Sequence, residues 1–274
     1  QQLQKVLKKF ASVPIRLGDL QGQYCSTEMW HETMAVKKDG TIRRQTGFPV
    51  DASGLVLSGP HFFVGRPVNK TPRAVCNANS HYDCLDLTTL PDDYLPRTNY
   101  YPDISTSEFR SRTARVPWDE GKTVTDFYRV LCRKRIGQSA ERTLIPAIVP
   151  KKISHVHSVT TTSFKEIHNV PDFCGILSSL PLDYYIKSTG RADLATGNLK
   201  LLPINLSRHQ QLIRLRALIL NCITTHYSDL WSECWDESFR SQRWAKQNDR
   251  LCNSFFSDLT INGRSNSFFQ LDPH

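Results

Sequence analysis

The chain has 274 residues, of which 39% are hydrophobic, and this is enough to bury a core in one large or two small domains. No run approaches the roughly 18 apolar residues of a spanning helix, so we predict no membrane association. The sequence has neither a signal-like start nor an initiator Met. We therefore expect a segment of a longer, cytoplasmic protein.

The formal net charge of +9 is unevenly distributed. Residues 97–152 contain 12 Lys and Arg against 6 Asp and Glu, whereas residues 176–274 contain 11 against 9. This asymmetry favours a polyanion as the partner of the first part and a packing role for the second, with a solvated basic surface as the alternative. The eight Cys show no C-x-x-C spacing, so we expect reduced, mostly buried thiols and no metal site.

In chain order, the hydrophobic pattern first predicts a helix over residues 1–12 and a short strand over residues 15–20. Residues 54–65 have the composition of short strands and turns. Residues 66–122 lack periodicity, and so long an irregular stretch is more typical of a functional loop system than of filler. Three strands of a twisted sheet are then predicted at residues 126–136, 142–150 and 155–164.

Within residues 126–136, Arg129, Arg133 and Arg135 alternate with apolar residues. This alternation predicts a strand in a sheet that has one basic face and one apolar face. The arginines would then point to solvent and be available to a partner.

After Phe173 the pattern predicts helices. They are expected over residues 172–190, 207–231 and 237–252, with Ser207 as the N-cap of the second. The predicted fold is α+β: a twisted, mostly antiparallel sheet with long irregular loops, followed by a helical C-terminal part. The corresponding division is a recognition domain over residues 1–175 and a helical packing region over residues 176–274.

Two kinds of site are disfavoured by the motifs. The stretch "GRPVNKT" (65–71) fails the P-loop pattern, because no glycine precedes Lys70 and because Pro67 and Pro72 lack the N–H groups that a phosphate cradle needs. There is no G-x-S-x-G, no H-E-x-x-H and no convincing pair of carboxylates. We therefore predict no catalytic residue in this chain.

Basic side chains in the loops are interleaved with His, Asn and Tyr. Arg can read guanine, Asn can read adenine, and Lys can hold phosphates, although ordinary polar loops contain the same mixture. For His155 and His157, on one face of a predicted strand, a metal, a nucleic-acid contact and an ordinary structural role stay open. The candidate DNA-binding residues are Arg43, Arg44, His61, Arg66, Lys70, Arg73, Arg97, Arg110, Arg112, Arg115, Arg129, Arg133, Arg135, Lys151, Lys152, His155 and His157.

Two stretches resemble a known family. "YRVLCRKRIGQSAERTLIPAIVPKKISHVHSV" (128–159) is similar to Y-R-x-x-x-R-x-x-x-x-x-x-E-R-T-x-I-x-A-x-I-x-P of the target-recognition regions of bacterial DNA adenine methyltransferases. "LPLDYYIKSTGRADLATGNLKLLPI" (180–204) resembles a specificity-region pattern of restriction–modification systems, with Lys187 where Arg is usual. The resemblance extends over roughly residues 15–250.

The resemblance implies a domain that reads a short double-stranded DNA site in phage defence. The G-x-G and [DNS]-P-P-[YFW] motifs of methyl transfer are missing, so S-adenosylmethionine and the flipped adenine are expected on a methyltransferase domain outside this chain. Three alternatives stay open. They are a stand-alone DNA specificity subunit, a nuclease lobe of the same system, and a protein-interaction module whose basic surface meets an acidic partner.

Overall fold

The structure is a computed structural model and describes residues 2–204, 209–246, 248–249 and 251–264. Its helices are α1 (Gln2–Ala11), α2 (Glu32–Lys37), α3 (Thr106–Arg112), α4 (Asn169–Leu177), α5 (Leu180–Ser188), α6 (Thr196–Leu199), α7 (Gln210–Asn221) and α8 (Ser228–Glu233). Its strands are β1 (Tyr24–Glu28), β2 (Ile42–Gly47), β3 (Val56–Leu57), β4 (Lys70–Pro72), β5 (Tyr82–Cys84), β6 (Thr98–Pro102), β7 (Arg115–Val116), β8 (Asp119–Thr123), β9 (Arg129–Arg133), β10 (Pro146–Val149), β11 (Ser154–His155), β12 (Val159–Phe164), β13 (Leu259–Thr260) and β14 (Gly263–Arg264). The fold is α+β, as the sequence predicts.

A four-stranded antiparallel sheet in the order β1-β12-β9-β10 forms the centre of the molecule. Successive side chains of a strand point to opposite faces, and here both faces are covered. Val130 and Ile148 pack into a core shared with the helices, whereas Leu131 and Ala147 pack into a second core with strand β3 and the turn that follows it. The three strands predicted for the twisted sheet, at residues 126–136, 142–150 and 155–164, are therefore confirmed. The predicted basic face of the sheet is wrong.

Smaller strand pairs surround this sheet. Strand β2 pairs with β6, β4 with β5, and β7 with β8, all antiparallel, while β11 pairs with β3 in parallel. The stretch over residues 66–122 is thus less irregular than its sequence predicts, since it contains five short strands and α3. Strands of two to five residues are too short to show a clear alternation of apolar and polar residues, so the sequence pattern does not predict them.

The helical part departs from the prediction at three places. The helix expected over residues 172–190 is two helices, α4 and α5, with Pro181 in the first turn of α5. Helix α7 ends at Asn221 and α8 begins at Ser228, and among the described residues of 237–252 the one helical element is the 3-10 turn Glu237–Ser241. Residues 15–20 contain a 3-10 turn instead of a strand. Ser207, the predicted N-cap, lies outside the described residues.

One apolar core joins the two predicted parts of the chain. It contains Leu17 and Phe164 from the first part and Leu218 and Leu259 from the second. Helix α4 itself crosses the predicted boundary at residue 175. Of the eight Cys, five are buried, in agreement with the prediction of mostly buried thiols. None of the described helices has the length and apolar character needed to cross a bilayer.

Gly65 allows a tight turn between the second core and α7. Its φ of +64° favours glycine, and its N–H donates to the Pro146 carbonyl at 2.9 Å. A Cβ at this position would approach the Leu220 side chain to 3.2 Å. The glycine of the "GRPVNKT" stretch thus has a structural role.

The Asn221 side chain fixes the end of α7 to the central sheet. Its Oδ1 accepts from the Ile148 N–H at 2.8 Å, and its Nδ2 donates to the Ala217 carbonyl at 2.8 Å, both in the buried interior. We expect Asn221→Ala to lower the free energy of unfolding by about 1–3 kcal/mol, because it leaves a buried N–H without a partner. Urea denaturation measures this change. The exposed Asn79→Ala is the control, and equal stability of both variants would contradict the assignment.

Candidate nucleic-acid interface

An open cleft of about 510 Å³ lies between the β2–β6 pair and the loop that follows β9. We call it the arginine cleft, because Arg44, Arg133, Arg135 and Arg142 line it. Among its described lining residues, Glu32 is the single acid. Its remaining walls come from the turn after β3 and from the loop between β4 and β5. The cleft is therefore electropositive and open to solvent.

A buried hydrogen-bond network forms the floor of the arginine cleft. The Ser58 N–H donates to His61 Nδ1 at 3.0 Å, so Nε2 carries the proton and donates to the Arg97 carbonyl at 2.9 Å. The Tyr82 hydroxyl lies 2.8 Å from Ser58 Oγ and accepts from Asn99 Nδ2 at 2.8 Å. Burial lowers the pKa of His61 and raises that of Tyr82 to about 12. The floor is thus neutral and firmly held.

Two of the cleft arginines are fixed to the backbone. Arg133 Nε donates to the Gly59 carbonyl at 2.7 Å, and its Nη2 donates to the Phe62 carbonyl at 2.5 Å. Arg142 Nη2 donates to the Ser178 carbonyl at 2.8 Å, and its side chain is only 15% exposed. Arg142 Nε also lies 3.4 Å from Asp183 Oδ1, so its charge is paired, whereas Arg133 supplies positive potential at a fixed position without being free to reach outward.

The other two arginines and two asparagines are available at the rim. The Arg135 side chain is 85% exposed and lies 3.6 Å from Asp193. Arg44 makes one long hydrogen bond of 3.4 Å to the Cys76 carbonyl and has no carboxylate within 4 Å among the described residues. The side-chain amides of Asn77 and Asn79, on the β4–β5 loop, form no hydrogen bond within the described part of the chain. These are the side-chain types that contact phosphates and base edges.

The remaining exposed or half-buried Lys and Arg candidates lie outside the arginine cleft and fall into two groups. Those paired with a carboxylate within 3.0 Å are Arg43, Arg73, Arg110, Arg112 and Lys151. Those with no carboxylate within 4 Å among the described residues are Arg66, Lys70, Arg97, Arg115 and Lys152. Surface pairs of the first kind contribute little to stability, so they can exchange a carboxylate for a phosphate at small cost.

Three candidates are buried and do not belong to a surface. Arg129 is fully buried and donates to the Ile153 carbonyl, and His155 Nε2 lies 2.9 Å from Thr161 Oγ1. His61 lies beneath the cleft floor, where it is bonded to Ser58. Because both faces of the central sheet are covered, its polar side chains must find partners inside. Burial lowers the pKa of Arg129 to about 9 and that of His155 to about 3.

His157 does not share the environment of His155. The strand ends between them, and His157 Nε2 lies 2.6 Å from Glu28 Oε2, which also accepts from Lys134 Nζ at 2.7 Å. The expectation that both histidines point to one face is therefore wrong. Their close spacing in sequence hides a turn that reverses the chain after β11.

Two features of this surface are not predicted by the sequence pattern. Arg142 contributes to the cleft, although only its position in the "ERT" stretch singles it out. The apolar residues Phe48 and Val50 are exposed, with the Arg97 guanidinium over the Phe48 ring, and their place after a basic strand is the available signal. The contact between Phe48 and Arg97 spans 49 positions of the sequence, so the local pattern cannot show it.

No family model matches the chain, and comparison with curated proteins finds no match. The resemblance to target-recognition regions therefore stays a prediction. What bears on function is the charge and the hydrogen-bonding capacity of the arginine cleft.

Burial of His155 predicts acid sensitivity. Its pKa is about 3 in the folded chain and about 6.5 in the unfolded chain, so on acidification the unfolded chain binds a proton that the folded chain does not. Above about pH 6.5 the neutral His155 ring does not lower the free energy of unfolding. At pH 5 it lowers the free energy of unfolding by about 2 kcal/mol. We expect the decrease in unfolding free energy between pH 7 and pH 5 to be smaller by that amount in His155→Gln.

Urea denaturation at the two pH values measures the difference. The exposed His209→Gln serves as the control and should keep the pH dependence of the wild type. An unchanged pH dependence in His155→Gln would show that this ring does not stay neutral in the folded protein.

Proposed function

We propose that this chain is a domain that recognises duplex DNA through the arginine cleft and its rim. The observation that carries the proposal is the convergence of Arg44, Arg133 and Arg135 with the available amides of Asn77 and Asn79 around one open cleft. Arg44 comes from strand β2, whereas Arg133 and Arg135 come from the end of β9 and the residues just after it. Such a set combines counterion release with base-edge readout.

The division of roles follows from the contacts. Arg44 and Arg135 are free to reach phosphates or guanine edges, while Arg133 holds the turn after β3 and adds fixed positive potential. Asn77 and Asn79 can each form the paired hydrogen bonds that adenine offers in the major groove. A good bidentate contact of this kind discriminates by about 1–3 kcal/mol.

We further propose that the DNA site is presented to an adenine methyltransferase domain in the same polypeptide or in a partner chain, in the cytoplasm. This step rests on the resemblance of residues 128–159 and 180–204 to target-recognition regions. S-adenosylmethionine would bind to that domain. The domain described here would position the target adenine for flipping.

Binding to duplex DNA is tested by fluorescence anisotropy with a random 30-base-pair pool at two salt concentrations, followed by sequencing of the bound fraction. We expect a salt-dependent affinity and an enriched motif. Arg44→Ala and Arg135→Ala should each lower the affinity, and a phosphate contact should lower the slope of log K against log salt by about 1.

Arg240→Ala is the control of equal charge, because Arg240 is exposed on the helical part of the chain. An equal loss of DNA affinity in Arg240→Ala would show that the loss depends on net charge alone. Absence of binding by the wild type at low salt would contradict the proposal and favour an interaction module for an acidic protein.

The link to methylation is tested in cells that express the open reading frame containing this chain. We expect N6-methyladenine at one short motif in the genome, detected by single-molecule sequencing. Asn77→Ala together with Asn79→Ala should change or relax the motif, because the available amides supply base contacts. An unchanged methylation motif in the double variant would show that these two residues do not read the DNA site. Absence of methylation in cells that express the wild type would contradict the methyltransferase partner.

A further inference from the structure

A short apolar tip follows strand β2, the strand that contributes Arg44 to the arginine cleft. Phe48, Pro49 and Val50 follow strand β2 directly, and we call them the 48–50 tip. Val50 is 102% exposed and Phe48 is 55% exposed. Two large apolar side chains exposed within three residues offer a small apolar surface to a ligand.

The 48–50 tip is held at both ends. On one side Gly47 pairs with Thr98, and Thr46 Oγ1 donates to Asn99 Oδ1 at 2.8 Å. On the other side the Asp51 carboxylate accepts from the Ser53 N–H at 2.7 Å and caps the turn Ala52–Gly54. The proline between the two apolar residues removes further backbone freedom. The contacts on both sides hold the 48–50 tip in one conformation, so it can keep its shape against a ligand.

A cation accompanies the apolar tip. The Arg97 guanidinium lies 4.6 Å from the centroid of the Phe48 ring and has no carboxylate within 4 Å among the described residues. A ligand that suits both Phe48 and Arg97 has apolar surfaces flanked by negatively charged groups. Stacked bases between phosphate backbones meet both requirements.

The geometry connects the tip with the arginine cleft. Arg44 on strand β2 lines the cleft, and Phe48 follows the end of that strand, beyond a β-bulge between Arg44 and Gly47. On the paired strand, Asn99 lines the cleft, follows Arg97 by two residues and accepts from Thr46, which precedes Phe48 by two residues. One duplex can thus contact both features.

We propose that the 48–50 tip is a wedge that enters a base step of the duplex held by the arginine cleft. The Phe48 ring stacks on a base, Val50 fills the space opened beside it, and Arg97 faces the adjacent phosphate. Insertion of apolar side chains unstacks a step, untwists the duplex and bends it. The inference rests on the proposed function, and it adds that recognition requires deformation of the DNA.

The test is a plasmid-unwinding measurement. Relaxed circular DNA is incubated with the chain and topoisomerase I, deproteinised, and its linking number is compared with that of a sample without the chain. We expect the wild type to lower the linking number in proportion to the amount bound. The double variant Phe48→Ala, Val50→Ser should lose this change and should bind a linear duplex about tenfold more weakly.

Two further variants keep the test independent of folding. Leu180→Ser replaces another exposed apolar residue, on helix α5 outside the arginine cleft, and should behave as the wild type. Val50→Ser alone changes a fully exposed side chain, and should reduce the linking-number change without affecting thermal stability.

The outcomes separate the wedge from the recognition function. Binding by the wild type without a change in linking number would overturn the wedge and leave DNA recognition in place. An equal linking-number change in the wild type and in the double variant would also overturn it. Absence of any binding to the plasmid at low salt would overturn both the wedge and the proposed function.

Discussion

Burial of the central sheet on both faces is the constraint on which the rest of the structure depends. Strands β9 and β12 lie in the middle of this sheet, and their side chains are buried except that of Arg133 at the end of β9. Polar groups there bond to other buried groups, as Arg129 does to the Ile153 carbonyl and Thr161 to His155 of β11. A sheet of this kind can carry no solvent-facing row of arginines. The basic residues that remain accessible are those at strand ends and in the loops between the small strand pairs.

This constraint explains how the arginine cleft is built. Arg133 is the last residue of β9, where the sheet ends, and its guanidinium group turns back to hold the Gly59 and Phe62 carbonyls. Two residues later Arg135 is already exposed. The β2–β6 pair and the β4–β5 loop close the other side through the buried network of Ser58, Tyr82 and Asn99. A rigid neutral floor thus presents charged and amide groups at its rim, which is an arrangement suited to reading a polyanion without reorganising on contact.

The sequence predicts the local features well and the long-range ones poorly. Alternation over residues 126–136 is a property of neighbouring residues, and the predicted strand is confirmed. Which face of that strand is covered depends on strand β3 and on helix α4, which lie far away along the chain. The same holds for the end of α7, since Asn221 bonds to Ile148 across 73 residues. For the site, the residue types in the loops point to nucleic acid, but no periodicity indicates that Arg44, Asn77 and Arg135 meet at one cleft.

The most direct measurement of the central claim is a map of the contact surface. A duplex substituted with 5-bromodeoxyuridine is irradiated in complex with the chain, and the cross-linked peptides are identified by mass spectrometry after proteolysis. We expect cross-links in residues 73–82 and 133–142, the two loops on opposite sides of the arginine cleft. Cross-links confined to the helical part over residues 209–241, or distributed evenly over the basic surface, would contradict it.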